Sequence, residues 1–327
     1  MDNKYKKLTS IVVFIVVMMM LPSIGYSLKM SKKYFLGPGN YIRNLQFEGT
    51  KRFYKVHVPS SYSKVNPVPV VLVFHAAAGH PDAIRYQSGM DSVSDKNGFI
   101  VVYPAGNKEM LADGLLRWND GRNYIDGFPV YVDDVGFVET LLDDLVRFFY
   151  VDTKRVYACG LSNGALFTNR LAKELSDRIA AIAVVAGQRS AYELFPPPSK
   201  PMPIMQFSGL QDIFAPYYGG SSYPGAEFYE LENMFDPAEE AIQSWVDFNG
   251  CPAEPSEVKR IGNAVQTLYG PCLNNVEVVL WTLEDGGHTW PGGNVLPLPP
   301  LVAALIGNIN KDISASVLIW EFFEKFQ

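Results

Sequence analysis

The chain has 327 residues, of which 48% are hydrophobic and 19% are charged, a balance typical of a folded globular protein with a sizeable core. Its formal net charge of −6 argues against general nucleic-acid binding, which requires a basic face. The sequence contains no repeat, no long Ser/Thr- or Gly-rich linker and no block of like charges, which favours one large domain.

The first 27 residues follow the pattern of an export signal. Lysines precede the apolar run "IVVFIVVMMML", Pro22 breaks that run, and small residues follow it. The run is shorter than the about 20 apolar residues of a membrane span, although an uncleaved anchor stays open as an alternative. We therefore predict a signal peptide over residues 1–27, a single domain over residues 28–327, no stable membrane anchor after cleavage, and a secreted or periplasmic protein.

Predicted strands begin soon after this signal. Apolar and polar residues alternate over residues 53–59, which predicts a half-buried strand. Unbroken apolar runs at 68–75 and 98–104 predict strands that are covered on both faces. A helix is expected over residues 91–97, between these two runs.

The stretch 133–150 is strongly helical, because its apolar residues share one face at a spacing of 3.6 residues. Asp133 or Asp134 is well placed as its N-cap. Buried strands and amphipathic helices continue to alternate beyond it, which predicts an α/β fold with a mainly parallel sheet and helices on both faces. The remaining predicted elements are strands at 155–160, 179–187, 202–209 and 276–284 and helices at 165–176, 237–249 and 314–326.

The stretch "CGLSNG" places Ser162 between two glycines, where a predicted strand runs directly into a predicted helix. This is the setting of a nucleophile elbow, in which a sharp turn lifts the serine hydroxyl above the sheet. Bulky side chains at Gly160 and Gly164 would clash with such a turn. The spacing therefore predicts Ser162 as a catalytic nucleophile.

A serine hydroxyl needs a base to remove its proton, and histidine is the usual base. Of the four histidines in the chain, only His288 follows Ser162, as the order nucleophile, acid, histidine requires. His288 lies in the Gly-rich loop "DGGHTWPGG" beyond a predicted strand. We therefore predict His288 as the general base.

The acid is expected between the serine and the histidine, on a loop that leaves a strand end. Asp212 follows the strand in "MPIMQFSGLQD" and is our candidate for orienting the imidazole. Asp285 is the rival, but it is only three residues from His288 on the same loop, which makes an approach to Nδ1 awkward.

Two backbone amides are candidates for binding a developing oxyanion. The Asn163 amide lies at a predicted helix N-terminus, and a second amide is expected in "HAAAG", from Ala76 or Ala77. His75, at the end of the preceding strand, is expected to order that loop rather than to act as an acid or base.

Because the protein is predicted to be exported, two of its three cysteines are candidates for a disulfide. Cys251 and Cys272 flank a predicted hairpin, and a disulfide between them would close a loop of about 20 residues, worth about 3 kcal/mol. Cys159 ends an apolar strand and is expected to be a buried free thiol. Three unpaired cysteines remain the alternative.

Five segments together resemble the secreted esterase family of polyhydroxybutyrate depolymerases and feruloyl esterases, often described as LpqC-like and related to carbohydrate esterase family 1. They are "VVLVFHAAAG", "DDVGFVETLLDDL", "VDTKRVYACGLSNGALF", "GLQDIFAPYYGG" and "GGHTWPGG". The resemblance implies an α/β-hydrolase fold, a Ser162–Asp212–His288 triad and ester hydrolysis without a metal or another cofactor. One departure is Ala76, where the family commonly has glycine; its methyl group would narrow the acyl pocket or shift the oxyanion amide.

The substrate is expected to be a small or oligomeric ester, namely a feruloyl or acetyl polysaccharide ester or a hydroxybutyrate oligomer. Trp290 and Trp118 are candidates for stacking on a sugar or a phenolic acyl group, with packing of the loops as the alternative. The long loop over residues 214–229 either lines the cleft or is an ordinary surface loop. An acyltransferase on the same scaffold, a serine peptidase and a non-catalytic binding protein with the same fold stay open.

Overall fold

A ten-stranded β-sheet runs through the part of the chain that the structure describes. The structure is a computed structural model that describes residues 35–108, 115–122, 132–190, 195–221 and 235–327; the predicted signal at residues 1–27 lies outside these ranges. The strands are β1 (Gly39–Phe47), β2 (Thr50–Val58), β3 (Val68–Phe74), β4 (Ile100–Pro104), β5 (Val151–Leu161), β6 (Ala181–Val185), β7 (Ile204–Gly209), β8 (Glu257–Ile261), β9 (Ala264–Tyr269) and β10 (Val278–Leu283).

The six central strands of the sheet are parallel. The strand order is β1-β2-β4-β3-β5-β6-β7-β10-β9-β8, with parallel pairing from β4 through β10 and antiparallel pairing on both flanks. Parallel neighbours need crossover connections, and these place helices on the faces of the sheet. The predicted α/β fold with a mainly parallel sheet is confirmed.

Helices cover both faces of this sheet. The described helices are α1 (Pro81–Ser88), α2 (Met90–Asn97), α3 (Asp134–Phe148), α4 (Asn163–Glu174), α5 (Ala238–Phe248), α6 (Pro300–Ile306) and α7 (Ala315–Phe323). On one face the core contains residues of α3, α4 and α5, and on the other it contains residues of α1, α2 and α7. Alternate residues of β3 belong to the two cores, so the strand is apolar throughout, as its sequence predicts.

Helix α3 shows how closely the sequence pattern follows the packing. The apolar residues expected on one face are buried, and the side chain of Asp133 accepts a hydrogen bond from the Gly136 amide at 2.8 Å. Asp133 is therefore the N-cap, and Asp134 is the first residue of the helix.

Residues 35–327 form one compact unit. The single domain over residues 28–327 stays a prediction. No helix among the described residues is long and apolar enough to cross a membrane.

The cysteines are arranged as predicted. Cys251 and Cys272 form a disulfide that closes the β8–β9 hairpin, and Cys159 is a buried free thiol whose pKa is raised by burial.

The parallel strands bring the candidate site residues to one edge of the sheet. The carboxyl ends of β3, β5, β7 and β10 lie at the same edge, and each is followed by a segment that carries a candidate residue. In an open parallel sheet this edge is where ligands bind.

Candidate active site

Ser162 lies in a sharp turn between β5 and α4. Its backbone has φ 59° and ψ −122°, a conformation that residues with a side chain rarely adopt. A Cβ atom at Gly160 would collide with the Gly164 carbonyl, and a Cβ at Gly164 would lie 2.5 Å from the oxygen of Phe74. Both glycines of the motif are therefore required sterically, for the reason that the sequence indicates.

Asp212 and His288 lie together at the neighbouring strand ends. The Nδ1 atom of His288 is 2.8 Å from one carboxylate oxygen of Asp212 and 3.0 Å from the other. The Asp212 side chain is fully buried, and that of His288 is 11% exposed. A carboxylate only accepts hydrogen bonds, so this contact places a proton on Nδ1 and leaves Nε2 of the neutral ring as an acceptor.

Backbone hydrogen bonds hold this pair. The amides of Phe214 and Ala215 both donate to Asp212 Oδ1, at 2.8 and 2.9 Å. The His288 amide donates to the Ile306 carbonyl at 2.6 Å. Asp285, the rival acid, instead accepts a hydrogen bond from Asn310 Nδ2 at 2.6 Å and does not bond to His288.

The nucleophile and base candidates are not joined by a hydrogen bond. Among the described residues, neither the Ser162 hydroxyl nor His288 Nε2 has a hydrogen-bonding partner. Hydrogen bonds of this type are often long in a free enzyme and tighten when the substrate binds.

The two candidate oxyanion amides also lack acceptors. Within the described ranges, neither the Ala76 N–H nor the Asn163 N–H donates a hydrogen bond. The chain segments that carry them are in close approach, because a Cβ at Gly164 would lie only 2.6 Å from the His75 carbonyl oxygen. Two unused donors therefore belong to adjoining segments next to Ser162, as binding of an oxyanion requires.

His75 orders the loop that carries Ala76. Its Nε2 accepts from the Gly106 amide at 2.9 Å, so the ring proton is on Nδ1, which donates to the Ala76 carbonyl at 2.8 Å. Burial lowers the pKa of His75 to about 4, so the ring is neutral at neutral pH. This neutral, fully bonded ring has a structural role, as expected from the sequence.

The Asn163 side chain ties the start of α4 to the loop around Trp118. Its Oδ1 accepts from the Trp118 amide at 2.8 Å, and its Nδ2 donates to the Trp118 carbonyl at 3.0 Å and to Asp120 at 2.7 Å. Burial by itself raises the pKa of the Asp120 carboxyl, but the charge and hydrogen bonds of Arg122 outweigh burial and lower it. Sequence reasoning missed Asp120 and Arg122, for which the only signal was a polar loop next to a tryptophan.

The two tryptophans expected at the substrate are interior residues, which corrects that expectation. Trp118 is 0% exposed and Trp290 is 2% exposed, so neither presents a ring face to a ligand. Trp118 stacks on Phe167 with ring centroids 5.0 Å apart, and the Trp290 indole donates to Ser316 Oγ at 3.0 Å. Both tryptophans instead pack in the interior, in line with the alternative interpretation of the sequence.

The loop after Asp212 is described as far as residue 221, and the remainder of the predicted 214–229 loop lies outside the described residues. Tyr217 is buried and bonds to Thr282 and Glu239, and burial raises the pKa of its hydroxyl to about 12. Tyr218 beside it is 76% exposed. The described residues contain no group of three or more His, Cys, Asp or Glu side chains that would hold a metal ion.

Comparison with known proteins finds esterases among the relatives of this chain. Residues 53–193 match the family model described as Esterase PHB depolymerase. The chain is 28% identical over 284 residues to NocK of Nocardia uniformis subsp. tsuyamanensis, a protein named as an esterase, with 84% of this chain and 79% of the relative covered. It is 29% identical to feruloyl esterase B of Piromyces equi and 22% identical to poly(3-hydroxyalkanoate) depolymerase C of Paucimonas lemoignei.

The chain is an ester hydrolase. The resemblance to polyhydroxybutyrate depolymerases and feruloyl esterases is confirmed. The matches to the feruloyl esterase and the depolymerase cover 73% and 72% of this hydrolase, but only 43% and 58% of those relatives.

The hydrolase also shares its fold with solved structures. Native pOPH matches with a TM-score of 0.50 at 16% identity, over 79% of this chain and 83% of that one. A complex of a pOPH variant with pNPB matches with a TM-score of 0.51 at 16% identity, over 79% and 82%. At this identity the likeness establishes the fold alone.

Proposed function

We propose that this ester hydrolase works through Ser162, His288 and Asp212 by an acyl-enzyme mechanism. The observation that supports it most directly is the contact of His288 Nδ1 with both oxygens of buried Asp212, at 2.8 and 3.0 Å. This contact orients the ring and leaves its other nitrogen to act as a base. The strained turn at Ser162 supports it further, because such turns present a serine hydroxyl above the sheet.

The chemistry follows from these roles. His288 Nε2 takes the proton of Ser162 Oγ as that oxygen attacks the ester carbonyl carbon. The amides of Ala76 and Asn163 stabilise the resulting oxyanion, and the alcohol leaves with the proton from His288. Water then attacks the acyl-enzyme with the same base, and the carboxylic acid is released. Asp212 stays ionised throughout and stabilises the imidazolium.

The proposed substrates are feruloyl or acetyl esters of polysaccharides, or soluble hydroxybutyrate oligomers. The names of the relatives support these classes. An acyltransferase is the second candidate, since the same acyl-enzyme can pass its acyl group to an alcohol instead of water.

We also propose that the hydrolase is exported after cleavage near residue 27. The lysines and apolar run of the first residues support this, and so does the disulfide between Cys251 and Cys272, a bond that persists in oxidising compartments. N-terminal sequencing of the exported protein tests this proposal directly.

The mechanism is tested with Ser162→Ala on a panel of nitrophenyl acetate and butyrate, methyl ferulate, acetylated xylan and hydroxybutyrate oligomers. Removing the nucleophile is expected to lower kcat by about 10⁴- to 10⁶-fold on every ester that the wild type cleaves. Ser208→Ala, at the buried carboxyl end of β7, is the control and is expected to keep its activity. A fully active Ser162→Ala variant contradicts the mechanism. Product analysis with an added alcohol separates hydrolysis from acyl transfer.

A further inference from the structure

We propose that Trp118 is a positioning residue that fixes both amides of the oxyanion site. This inference rests on the proposed function, because the orientation of these amides matters only if an oxyanion forms at Ser162. The Trp118 ring is fully buried and cannot touch the substrate. It acts instead through the peptide groups that carry the two donors.

The first link runs through the indole ring. Trp118 Nε1 donates to the His75 carbonyl oxygen at 3.1 Å. That carbonyl and the Ala76 N–H belong to one planar trans peptide group, so they point in opposite directions. A bond that holds the carbonyl therefore also sets the direction of the Ala76 N–H.

The orientation of the His75–Ala76 peptide group depends on Trp118, whereas the next peptide group along the chain has other hydrogen-bond donors. Among the described residues, Trp118 is the only hydrogen-bond donor to the His75 oxygen. The next carbonyl, of Ala76, receives two donors, the His75 ring at 2.8 Å and the Gly79 amide at 3.0 Å. Loss of the indole N–H thus leaves the His75–Ala76 peptide without its hydrogen-bond anchor.

The second link runs through the backbone of the same residue. The Trp118 N–H and C=O are both bonded to the side-chain amide of Asn163, at 2.8 and 3.0 Å. Asn163 is the first residue of α4, and its own N–H is the other candidate oxyanion donor. Trp118 therefore connects the two donors, which come from different strand ends.

The surroundings of Trp118 make this connection rigid. Its ring stacks on Phe167 with an interplanar angle of 7° and meets Phe74 edge-on at 5.1 Å. The Leu116 carbonyl in the same loop accepts from the Ala78 amide at 2.8 Å. A connector held on several sides keeps donors in place without reorganisation during the reaction, which is what oxyanion stabilisation requires.

The experiment replaces Trp118 by phenylalanine, which keeps an aromatic ring in the core and deletes the indole donor. We expect kcat to fall about 10- to 100-fold with KM within about threefold, since donors displaced by a fraction of an ångström lose mainly transition-state stabilisation. Trp290→Phe is the matched control. It also removes the donor of a buried indole, but that indole bonds to Ser316, so kcat is expected to stay within about twofold.

A second readout separates positioning from general loss of packing. Sulfur accepts hydrogen bonds poorly, so an oxyanion site favours an ester over the matching thionoester, and the ratio of their kcat/KM values reports on the amides. We expect this ratio to fall in Trp118→Phe and to stay at the wild-type value in Trp290→Phe. Asn163→Ala, which severs the backbone link and leaves every ring in place, is expected to lower the ratio as well.

The outcomes separate the two proposals. If Ser162→Ala is inactive while folded Trp118→Phe keeps the wild-type kcat and ester-to-thionoester ratio, the positioning role is overturned and the mechanism stands. If Ser162→Ala remains active, the mechanism itself fails, and the positioning role fails with it.

Discussion

The two ends of the candidate site are held in different ways. At the oxyanion end, buried side chains bind one another and the backbone: the His75 imidazole, the Trp118 indole and the Asn163 amide. At the acid–histidine end, Asp212 accepts backbone amides, and the His288 loop is bonded to the backbone of residues 306–308.

This difference determines which substitutions are expected to disturb each end of the site. Backbone donors survive most substitutions, so the acid–histidine end depends chiefly on Asp212 and His288 themselves. The oxyanion end depends on several side chains that never meet the substrate. Substitution or protonation of buried side chains other than Asp212 and His288 is therefore expected to act mainly on the oxyanion end.

The largest expected effect lies at the acid–histidine end. Asp212→Asn keeps the shape and still accepts the Phe214 and Ala215 amides, but its NH₂ group then faces His288 Nδ1. The ring is forced into the tautomer that cannot take the serine proton, and kcat is expected to fall about 10⁴-fold. Steady-state kinetics on nitrophenyl acetate measures this loss, and a decrease of less than tenfold is incompatible with the assigned role.

A smaller effect is expected from acid at the oxyanion end. Because the folded pKa of His75 is lowered to about 4, the unfolded chain binds a proton between about pH 6.5 and 4 that the folded chain does not. The stabilisation from the neutral ring is present above pH 6.5 and is lost as the pH falls toward 4. Lowering the pH from 7 to 5 is therefore expected to decrease the free energy of unfolding by about 2 kcal/mol through His75.

Urea unfolding of the wild type and of His75→Gln at these two pH values measures this dependence. The variant has no titrating ring, so its free energy of unfolding is expected to fall by about 2 kcal/mol less than that of the wild type. Equal losses would show that His75 does not carry the acid sensitivity.

The smallest effect is expected at the rival carboxylate. Asp285 bonds to Asn310 and not to His288 or Asp212, so Asp285→Asn is expected to keep kcat within about twofold. A loss comparable to that of Asp212→Asn would reverse the assignment of the acid. The same kinetic assay decides between the two carboxylates.

The central strands and the turn at Ser162 were predictable because local sequence carries their physical cause. Burial on both faces makes a continuous apolar run, so the predicted strand at 68–75 is β3, Val68–Phe74. The elbow was visible because only glycine fits at Gly160 and Gly164. The candidate acid and base followed from chain order.

Features that depend on distant partners were not predictable. Strand β1 was missed because its inward-facing Arg43, which pairs with Asp144 from α3, breaks the apolar pattern. Helix α6 was missed because it begins at Pro300, directly after another proline. Trp118 was expected at the substrate, yet it is buried together with Asn119 and Asp120. Hydrogen bonds to Asp134 and Asn163, which are not neighbours in sequence, hold these two residues in the interior.

The backbone at Ser162 has a consequence for the evolution of the chain. Glycine would adopt its φ of 59° without the strain of about 1–3 kcal/mol that a side chain incurs there. The most stable sequence for this fold therefore lacks the hydroxyl. Under selection for stability alone, glycine would be favoured at this position, and the chain would lose its proposed nucleophile.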